Sequence, residues 1–470
     1  MLEQFFRLRD HKTTVGTELM AGLTTYMVMA YIIFVNPSIL GLGGQGLPRP
    51  ATTTATCLVA GVMSIAMGLY TNRAYALAPG LGLNGVVAFQ LVGQQGLSFP
   101  QAMGVVVLEG LLITLLVLFG VRKVVFDAVP LHLKQAIAVG IGWFILFIGL
   151  VDAGIVRKAA PLENPVPLEM GQFTGVPILV AMIGLTVMVV MMALRVRGAL
   201  LWGILIATAA SILLNAINGG SVKFSAPGVA VLPTQIVAAP DFSTIGHVDF
   251  SAFGKIGVLA TVLAVVTLSL ADFFDMMGTL VGVGTLAGYV NDKGELPHVQ
   301  KPLLVDALAA VVGGAASASS ATTYIESAAG VGVGGRTGLM PIVTGILFLL
   351  SMPFWPLISI VPAEATAPAL ILVGFLMMGV LSRWEGDATG TGGRPGIDFT
   401  DLEQGLPAVM TMVIMPLTYN ITNGIGAGFV TYALIKLVKR DWSGVHPAVW
   451  GIAGLFLLYF LRTQLFGVSF

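Results

Sequence analysis

The chain consists largely of apolar segments about 20 residues long, and this feature restricts its possible folds more than any other. The hydrocarbon core of a bilayer is about 30 Å thick, so a transmembrane helix needs about 20 predominantly apolar residues. A single soluble core stops growing near roughly 250–300 residues, whereas these segments extend over a chain of 470 residues. The pattern therefore predicts an all-α polytopic membrane protein. Clear segments occupy residues 15–37, 52–71, 101–121, 132–152, 176–195, 199–216, 255–288, 302–318, 338–358, 364–382, 402–420 and 423–438.

Two further segments, 76–92 and 319–335, are apolar but rich in Gly, Ala, Ser and Thr. We count them as spans 3 and 10, which brings the total to 14. Only 10% of the residues are charged, against about 25% in soluble domains. Residues 447–466 form a fifteenth apolar run, which either spans the membrane, lies along its surface or packs against the bundle.

The distribution of positive charge tests this count. With the N-terminus in the cytoplasm, the inside loops hold 17 Lys and Arg residues and the outside loops hold five, with Arg462 left over from the 23 present. Cytoplasmic loops are expected to be rich in Lys and Arg. The bias supports 14 spans with the N-terminus inside, and omission of either weak span would reverse the sides that follow it.

The only long outside loop, about 218–253, separates span 7 from span 8 and suggests two halves of seven spans each. We therefore expect a first repeat over 1–217, a linker over 218–253 outside the cytoplasm, a second repeat over 254–440 and a C-terminal apolar segment over 441–470.

Spans 3 and 10 are unlike ordinary helices. Pro79 lacks a backbone donor and clashes with the preceding turn, and Gly80 and Gly82 beside it permit extended backbone. Span 10 is small and polar, and it places Glu326 in the middle of the membrane. Interrupted spans at matching places in two halves point to a transporter site between inverted repeats. We predict that each is an extended stretch followed by a half-helix whose N-terminal N–H groups are free.

The acids of spans 8 and 10 are the main candidates for function, because ionisable groups inside the membrane are costly and usually functional. Asp272 and Asp275 of span 8 are three residues apart and share one helix face, and Glu326 belongs to span 10. Two neighbouring carboxylates do not both ionise cheaply, so at least one is expected to hold a proton, as a proton-coupled carrier requires. The alternative for each single Asp is a structural hydrogen bond to backbone. A structural role is also the expectation for Glu18, Glu109 and Asp306.

Several other classes of function find no support in the sequence. The formal net charge is zero, which suggests no nucleic-acid partner. The single cysteine, Cys57, excludes an internal disulfide. We find no metal-binding spacing of His, Cys and acidic residues and no phosphate-binding Gly-Lys-Ser/Thr motif, so no metal, cofactor or ATP-driven pumping is expected.

Four ordered motifs resemble those of one family. They are ELMAGLTTY and MAYIIFVNP at 18–26 and 29–37, ALAPGLGLN at 76–84, DFFDMMGTL at 272–280, and TTYIESAAG with GGRTGL at 322–330 and 334–339. Together they resemble the AzgA-like hypoxanthine–adenine–guanine permeases of the nucleobase/ascorbate transporter superfamily, and the likeness covers nearly the whole chain. The related uracil and xanthine permeases carry a Glu–His pair in span 8, and no His stands there in this chain.

The resemblance implies 14 spans in two inverted seven-span repeats. It implies a core domain of spans 1–4 and 8–11, a gate domain of spans 5–7 and 12–14, and proton symport of purine bases. The implied binding residues are Asn84, with Gly82 before it, the acid pair Asp272 and Asp275, and Glu326.

The chain departs from the family at several positions, which puts selectivity in doubt. Leu81 stands where the family usually has Met, Gly85 follows the Asn in place of an aromatic residue, and Met276 replaces a common Thr.

Our hypothesis is that a purine binds near the midplane between spans 3 and 10. Glu326 and one of Asp272 and Asp275 accept its N–H groups, and Asn84 contacts the other edge. Thr323, in the motif that holds Glu326, is a further binding residue, and Phe273, Phe274 or Tyr26 stacks on the base. A proton on Asp272, Asp275 or Glu326 couples uptake to the gradient across the bacterial inner membrane. Guanine and hypoxanthine are favoured, adenine stays possible, and a homodimer is left open. The alternatives are an anion transporter or a channel of the same fold, and a membrane enzyme.

Overall fold

The computed structural model of the protein describes residues 2–120, 129–159, 168–217, 228–289, 296–379, 397–441 and 445–466, and most of them are helical. The helices of the first half are α1 (Leu2–Phe5), α2 (Val15–Met29), α3 (Ile32–Leu40), α4 (Arg49–Thr71), α5 (Leu81–Gly85), α6 (Phe99–Leu118), α7 (Leu131–Asp152), α8 (Val176–Ala193) and α9 (Ala199–Ile217). Those of the second half are α10 (Ala252–Lys255), α11 (Val258–Leu286), α12 (Gln300–Ala315), α13 (Ser327–Val333), α14 (Leu339–Ser351), α15 (Trp355–Ser359), α16 (Ala363–Met378), α17 (Leu402–Thr418), α18 (Ile421–Val438) and α19 (Pro447–Phe466). Two antiparallel pairs of strands complete the fold: β1 (Leu77–Pro79) with β4 (Ala321–Thr323), and β2 (Val156–Lys158) with β3 (Leu168–Met170).

These helices agree with the segments read from hydropathy, and nine helices within the described ranges are long and apolar enough to cross a membrane. Two segments are less regular than expected. The segment 15–37 contains two helices, α2 and α3, and the segment 338–358 contains α14, a short 3₁₀ turn and α15. Pro353 and Pro356 explain the second break, because proline lacks the donor that would continue α14. The chain is a multi-pass membrane protein.

Spans 3 and 10 are broken as predicted. β1 and β4 pair with Leu77 opposite Thr323 and Pro79 opposite Ala321, and each strand is followed by a short helix, α5 or α13. Span 3 then continues as a π-helix over Val86–Gln94. Backbone polar groups at membrane depth must be satisfied within the protein, and this strand pair supplies their partners. Gly80 N–H extends the pairing by donating to the Ser320 carbonyl at 2.9 Å.

Two close helix crossings occur at glycines, and each joins a helix of the first half to a helix of the second. A Cβ on Gly345 of α14 would lie 2.5 Å from the Gly61 carbonyl oxygen of α4, and a Cβ on Gly110 of α6 would lie 2.6 Å from the Val311 amide of α12. Small residues let membrane helices approach closely. The α4–α14 contact joins spans 2 and 11, and the α6–α12 contact joins spans 4 and 9. In the predicted arrangement of two seven-span repeats, span n corresponds to span n+7, so these two contacts would be equivalent.

The helices fall into two packing groups. α2, α4, α6, α11, α12, α13 and α14 pack on one another, and α7, α8, α9, α16, α17 and α18 form the other group. The groups correspond to the predicted core (spans 1–4 and 8–11) and gate (spans 5–7 and 12–14). This packing supports that division, while the predicted repeat boundaries stay predictions.

The linker and the C-terminal segment both lie against the bundle. In the described part of the linker, Ala238 donates to the Pro353 carbonyl and Asp249 donates to the Pro100 carbonyl, each at 2.9 Å. Helix α19 packs against α18 and α11, with the rings of Phe456 and Phe429 stacked at 6.4 Å. The segment 447–466 is therefore in contact with the bundle, and whether it also spans the membrane stays open.

Candidate functional site

The crossing of β1 and β4 is held by an acid from a neighbouring helix. Asp306 of α12 accepts hydrogen bonds from the amide and the hydroxyl of Thr323, at 2.6 and 2.5 Å. The Thr322 hydroxyl lies 3.3 Å from the other carboxyl oxygen. On the opposite side, the Tyr324 hydroxyl donates to the Pro79 carbonyl. Thr323 stays a predicted binding residue, but its hydroxyl would have to leave Asp306 in order to contact a substrate.

Asp272 and Asp275 belong to two different sets of partners, although they share one helix face. Asp272 is fully buried, and the carboxyls that act on it most strongly are Glu109 and Asp306. Asp275 is partly exposed, and the charge that acts on it is that of Glu326. The sequence spacing places both acids on α11, one helical turn apart, and their roles in binding and coupling stay predictions. It gave no sign that the two side chains serve separate clusters.

Glu326 lies at the start of α13 and is partly exposed. The Tyr31 hydroxyl, from the break between α2 and α3, donates to its Oε1 at 2.7 Å. Tyr31 was not singled out from the sequence, where the signal is a polar aromatic residue in the middle of span 1. Glu326, Tyr31 and Asp275 are neighbours in the electrostatics of the site, and the two acids are partly exposed.

Asn84 lies on α5, which packs against α3, α7 and α11. The side chain is fully buried. Neither its amide oxygen nor its amide nitrogen has a hydrogen-bond partner in the described part of the chain. Buried polar groups are nearly always paired, so this amide is a candidate contact for a ligand.

The structure places the other residues predicted to contact the base, Gly82, Tyr26 and Phe273, less favourably for that contact. An added Cβ on Gly82 would lie 2.5 Å from Ile141 Cγ2 of α7, so this glycine provides close packing between core and gate. The ring of Tyr26 meets Phe348 edge-on at 5.2 Å, and its hydroxyl lies 2.6 Å from Ser351 Oγ. Phe273 is buried, and the side chain of Phe274 lies outside the described residues. Stacking of Phe273 or Tyr26 on a base stays a prediction.

The expectation of free N–H groups at both half-helices is wrong for α13. The amides of Ser327 and Ala328 donate to the carbonyls of Tyr324 and Ile325, at 3.1 and 2.9 Å. The chain tightens into a turn before α13, and this turn uses the donors that the sequence suggested were available.

Core and gate are joined by hydrogen bonds at the end of span 3. Gln94 donates to the Tyr419 carbonyl at 3.0 Å, and Asn420 donates to the Gln94 side chain at 3.0 Å. The Tyr419 ring meets the rings of Phe89 and Phe144 edge-on. These residues close one end of the boundary between the two helix groups.

A separate cavity of about 620 Å³ opens on the face that carries the N-terminus. It is lined by Asp10, His11, Lys12, Arg73, Ala287, Gly288, Tyr289, Gly334 and Arg336. Burial and, to a smaller extent, the nearby Arg73 guanidinium lower the pKa of His11 below its usual 6.5. None of the site acids lines this cavity, so it is distinct from the candidate site.

Two inverted repeats that cross through paired strands, with carboxyl groups beside the crossing, define a secondary transporter. The fold is that of solved anion transporters. The transmembrane domain of a cyanobacterial bicarbonate transporter, BicA, superposes with a TM-score of 0.60 at 15% identity over 88% of this chain and 96% of that one. The murine SLC26A9 anion transporter in its inward-facing state gives 0.58 at 12% identity over 90% and 68%.

The sequence profile described as the permease family matches residues 16–389, and the chain belongs to that family. It is 39% identical to the adenine permease AdeQ of Escherichia coli strain K12, over 97% of this chain and 95% of the relative. It is 37% identical to the guanine/hypoxanthine permease PbuO of Bacillus subtilis strain 168, over 96% and 99%. The resemblance noted from the motifs is confirmed, and the protein is a permease rather than an enzyme.

Proposed function

We propose that this chain imports purine nucleobases across the bacterial inner membrane, with its N-terminus in the cytoplasm, and that protons drive the uptake. The observation that carries the proposal is the buried, unpartnered amide of Asn84, on a broken span paired with the span that holds Glu326. Full-length relatives named as adenine and guanine/hypoxanthine permeases supply the substrate class.

The chemistry of the site suits an uncharged base with N–H donors. An amide offers two donors and one acceptor, and an ionised carboxylate only accepts. An oxopurine presents N1–H beside an oxygen and adenine presents an amino group beside a ring nitrogen, so Asn84 is able to pair with either edge. Glu326 and Asp275 would accept further N–H groups, such as the 2-amino group of guanine, a donor that adenine lacks.

An anion carrier is the alternative, since the solved structures of this fold transport anions. Such a site would need positive charge. In the described part of the chain, the groups with the strongest electrostatic effect on Asp272, Asp275 and Glu109 are other carboxyls and neutral hydroxyl groups. No Lys or Arg of the described residues is among them. Carboxylates repel a second negative charge in a low-dielectric site, so the neutral base is favoured.

Transport requires the site to open to alternate sides. The core packs against the gate at the Gly82–Ile141 contact, and movement of one helix group against the other would carry the substrate past this contact. Closure at Gln94 and Asn420 corresponds to a site shut off from the outside.

The test is uptake of radiolabelled guanine, hypoxanthine and adenine by proteoliposomes, with and without an inward proton gradient. Saturable uptake that the gradient stimulates supports the proposal and ranks the bases. Absence of uptake of all three by folded protein would contradict it, and bicarbonate and sulfate would then be assayed for the anion alternative.

A further inference from the structure

Three buried carboxyls meet behind the strand crossing, away from Glu326. They are Glu109 of α6, Asp272 of α11 and Asp306 of α12, and all three are fully buried. The helices that carry them pack together, α6 against both α11 and α12, and α11 and α12 each contact β4. The sequence analysis expected structural roles for Glu109, within span 4, and for Asp306, near the start of span 9.

The cluster has too few hydrogen-bond donors for three negative charges. Glu109 Oε2 accepts one bond from the Ser320 hydroxyl at 3.1 Å, while its Oε1 has no partner in the described part of the chain. Both carboxyl oxygens of Asp272 also have no hydrogen-bond partner among the described residues. Only Asp306 is well supplied, by Thr322 and Thr323.

Positive charge does not compensate for this shortage. Among the ion pairs of the described residues, none includes a carboxyl of this cluster. Burying an isolated ionised carboxylate is so costly that such groups become neutral instead. Three adjacent carboxyls of this kind are therefore able to hold at least one proton between them.

We propose that Glu109, Asp272 and Asp306 form the binding site for the coupled proton, and that Glu109 is its proton-holding member on α6. The purine would bind apart from it, at Asn84, Asp275 and Glu326. This inference rests on the proposed proton-coupled function. In the transfer step, the O–H bond of Glu109 breaks and an O–H bond forms on Asp272, so the negative charge moves from Asp272 to Glu109 without any co-reactant.

The same residues connect the proton to the substrate site. Asp306 holds the amide and hydroxyl of Thr323, and Glu326 follows three residues later in the chain. Asp272 lies one helical turn from Asp275. One further charged group of the described residues faces the cluster: Asp275 of α11, which acts electrostatically on both Asp272 and Asp306. From β4 and the residue before it, the cluster meets only the neutral hydroxyls of Ser320, Thr322 and Thr323. A change in the charge of Asp306 would alter its hold on β4 and hence the position of Glu326.

The test separates coupling from transport in proteoliposomes. Accumulation of labelled guanine under an inward proton gradient is compared with exchange of labelled for unlabelled guanine at equal pH on both sides. For Glu109→Gln, gradient-driven accumulation should fall about tenfold or more while exchange stays within about twofold of wild type. Glu109→Asp, which keeps a carboxyl, should restore part of the accumulation.

The matched control is Glu18→Gln. Glu18 is an equally buried core carboxyl that accepts from the amides of Arg336 and Thr337 and lies outside the cluster. Its replacement should leave both assays close to wild type. Gradient-driven accumulation that survives Glu109→Gln would overturn the proposal, and so would an equal loss of both activities in Glu109→Gln and Ser320→Ala, because that result assigns Glu109 a structural role.

A second readout does not depend on base transport. A protonated carboxyl shows an infrared carbonyl stretch that shifts in D2O, and this band should be present at neutral pH in wild type and Glu18→Gln and lost in Glu109→Gln. Persistence of the whole band in Glu109→Gln would overturn the proton site whatever the substrate is. Wild-type protein that shows the band but moves no base would instead contradict the proposed function alone.

Discussion

Asn84 differs from Asn36, another fully buried asparagine, in how its amide is used. Asn36 donates to Thr56 Oγ1 at 2.8 Å and to the Ala318 carbonyl at 3.2 Å, whereas Asn84 bonds to nothing in the described residues. A buried amide without partners costs stability. The proposed base would supply the hydrogen-bond partners that the described residues do not offer Asn84.

Replacement of Asn84 by Leu, which has similar volume, should leave the melting temperature unchanged or raise it. Loss of its hydrogen bonds to the base should reduce uptake at low substrate concentration about 10- to 100-fold. Asn36→Leu is the control and should lower the melting temperature, because it removes two bonds within the core. Thermal unfolding in detergent and uptake in proteoliposomes check both. A large loss of stability in Asn84→Leu with normal uptake would contradict the assignment.

The two acids of α11 should also differ in effect. Asp275→Asn alters the group beside Glu326 and should raise the KM for base exchange by about tenfold. Asp272→Asn should leave that KM near the wild-type value and abolish stimulation by the proton gradient. Exchange kinetics at equal pH, followed by gradient-driven uptake, distinguish the variants. Identical defects in both assays would mean that the two acids act as one group.

The partners of Asp272 and Asp275 mark the limit of sequence-based prediction at this scale. A spacing of three residues places both on one face, but one turn of helix separates them along the axis. Which cluster each joins depends on the helices packed at that height. Tyr31 and Glu109 could be noticed as polar residues in spans, whereas their contacts are set by tertiary packing.

At the scale of elements, the broken spans were predictable because their cause is local. Pro79 and the glycines after it exclude a continuous helix, and the matched position of span 10 completed the pattern. The turn before α13 was not predictable, since no proline or glycine marks it and its bonds form within Tyr324, Ile325 and the residues that follow.

Gly82 tests whether α5 works by contact with the gate. Gly82→Ala adds a Cβ that would lie 2.5 Å from Ile141 Cγ2, and overpacking of this kind costs about 1–3 kcal/mol. We expect slower uptake by Gly82→Ala and recovery in the double variant with Ile141→Ala. The initial rates of uptake by the two single variants and the double variant distinguish contact with the gate from contact with the substrate. Failure of Ile141→Ala to restore uptake would favour the original prediction that Gly82 contacts the substrate.

For the whole molecule, the question is whether the two helix groups move against each other. The contacts that join them at the end of span 3 involve Gln94 on the core and Tyr419 and Asn420 on the gate. Hydrogen bonds of this exposed kind are weak enough to break and re-form during a transport cycle. If the core carries the base across, these bonds must open in every cycle.

A covalent bridge at this point should therefore stop transport. In Gln94→Cys/Asn420→Cys, a short bis-maleimide should link core to gate and abolish uptake, and unlinked molecules should transport normally. The native Cys57 is fully buried, so it should not react. The control pair is Gln101→Cys/Ser251→Cys, whose parent side chains bond at 2.9 Å and are exposed. Both lie on the core side, at the start of α6 and just before α10, so linking them should leave uptake unchanged. Undiminished uptake by fully linked Gln94→Cys/Asn420→Cys protein would show that the base crosses without separation of the two groups at this end, as in a channel.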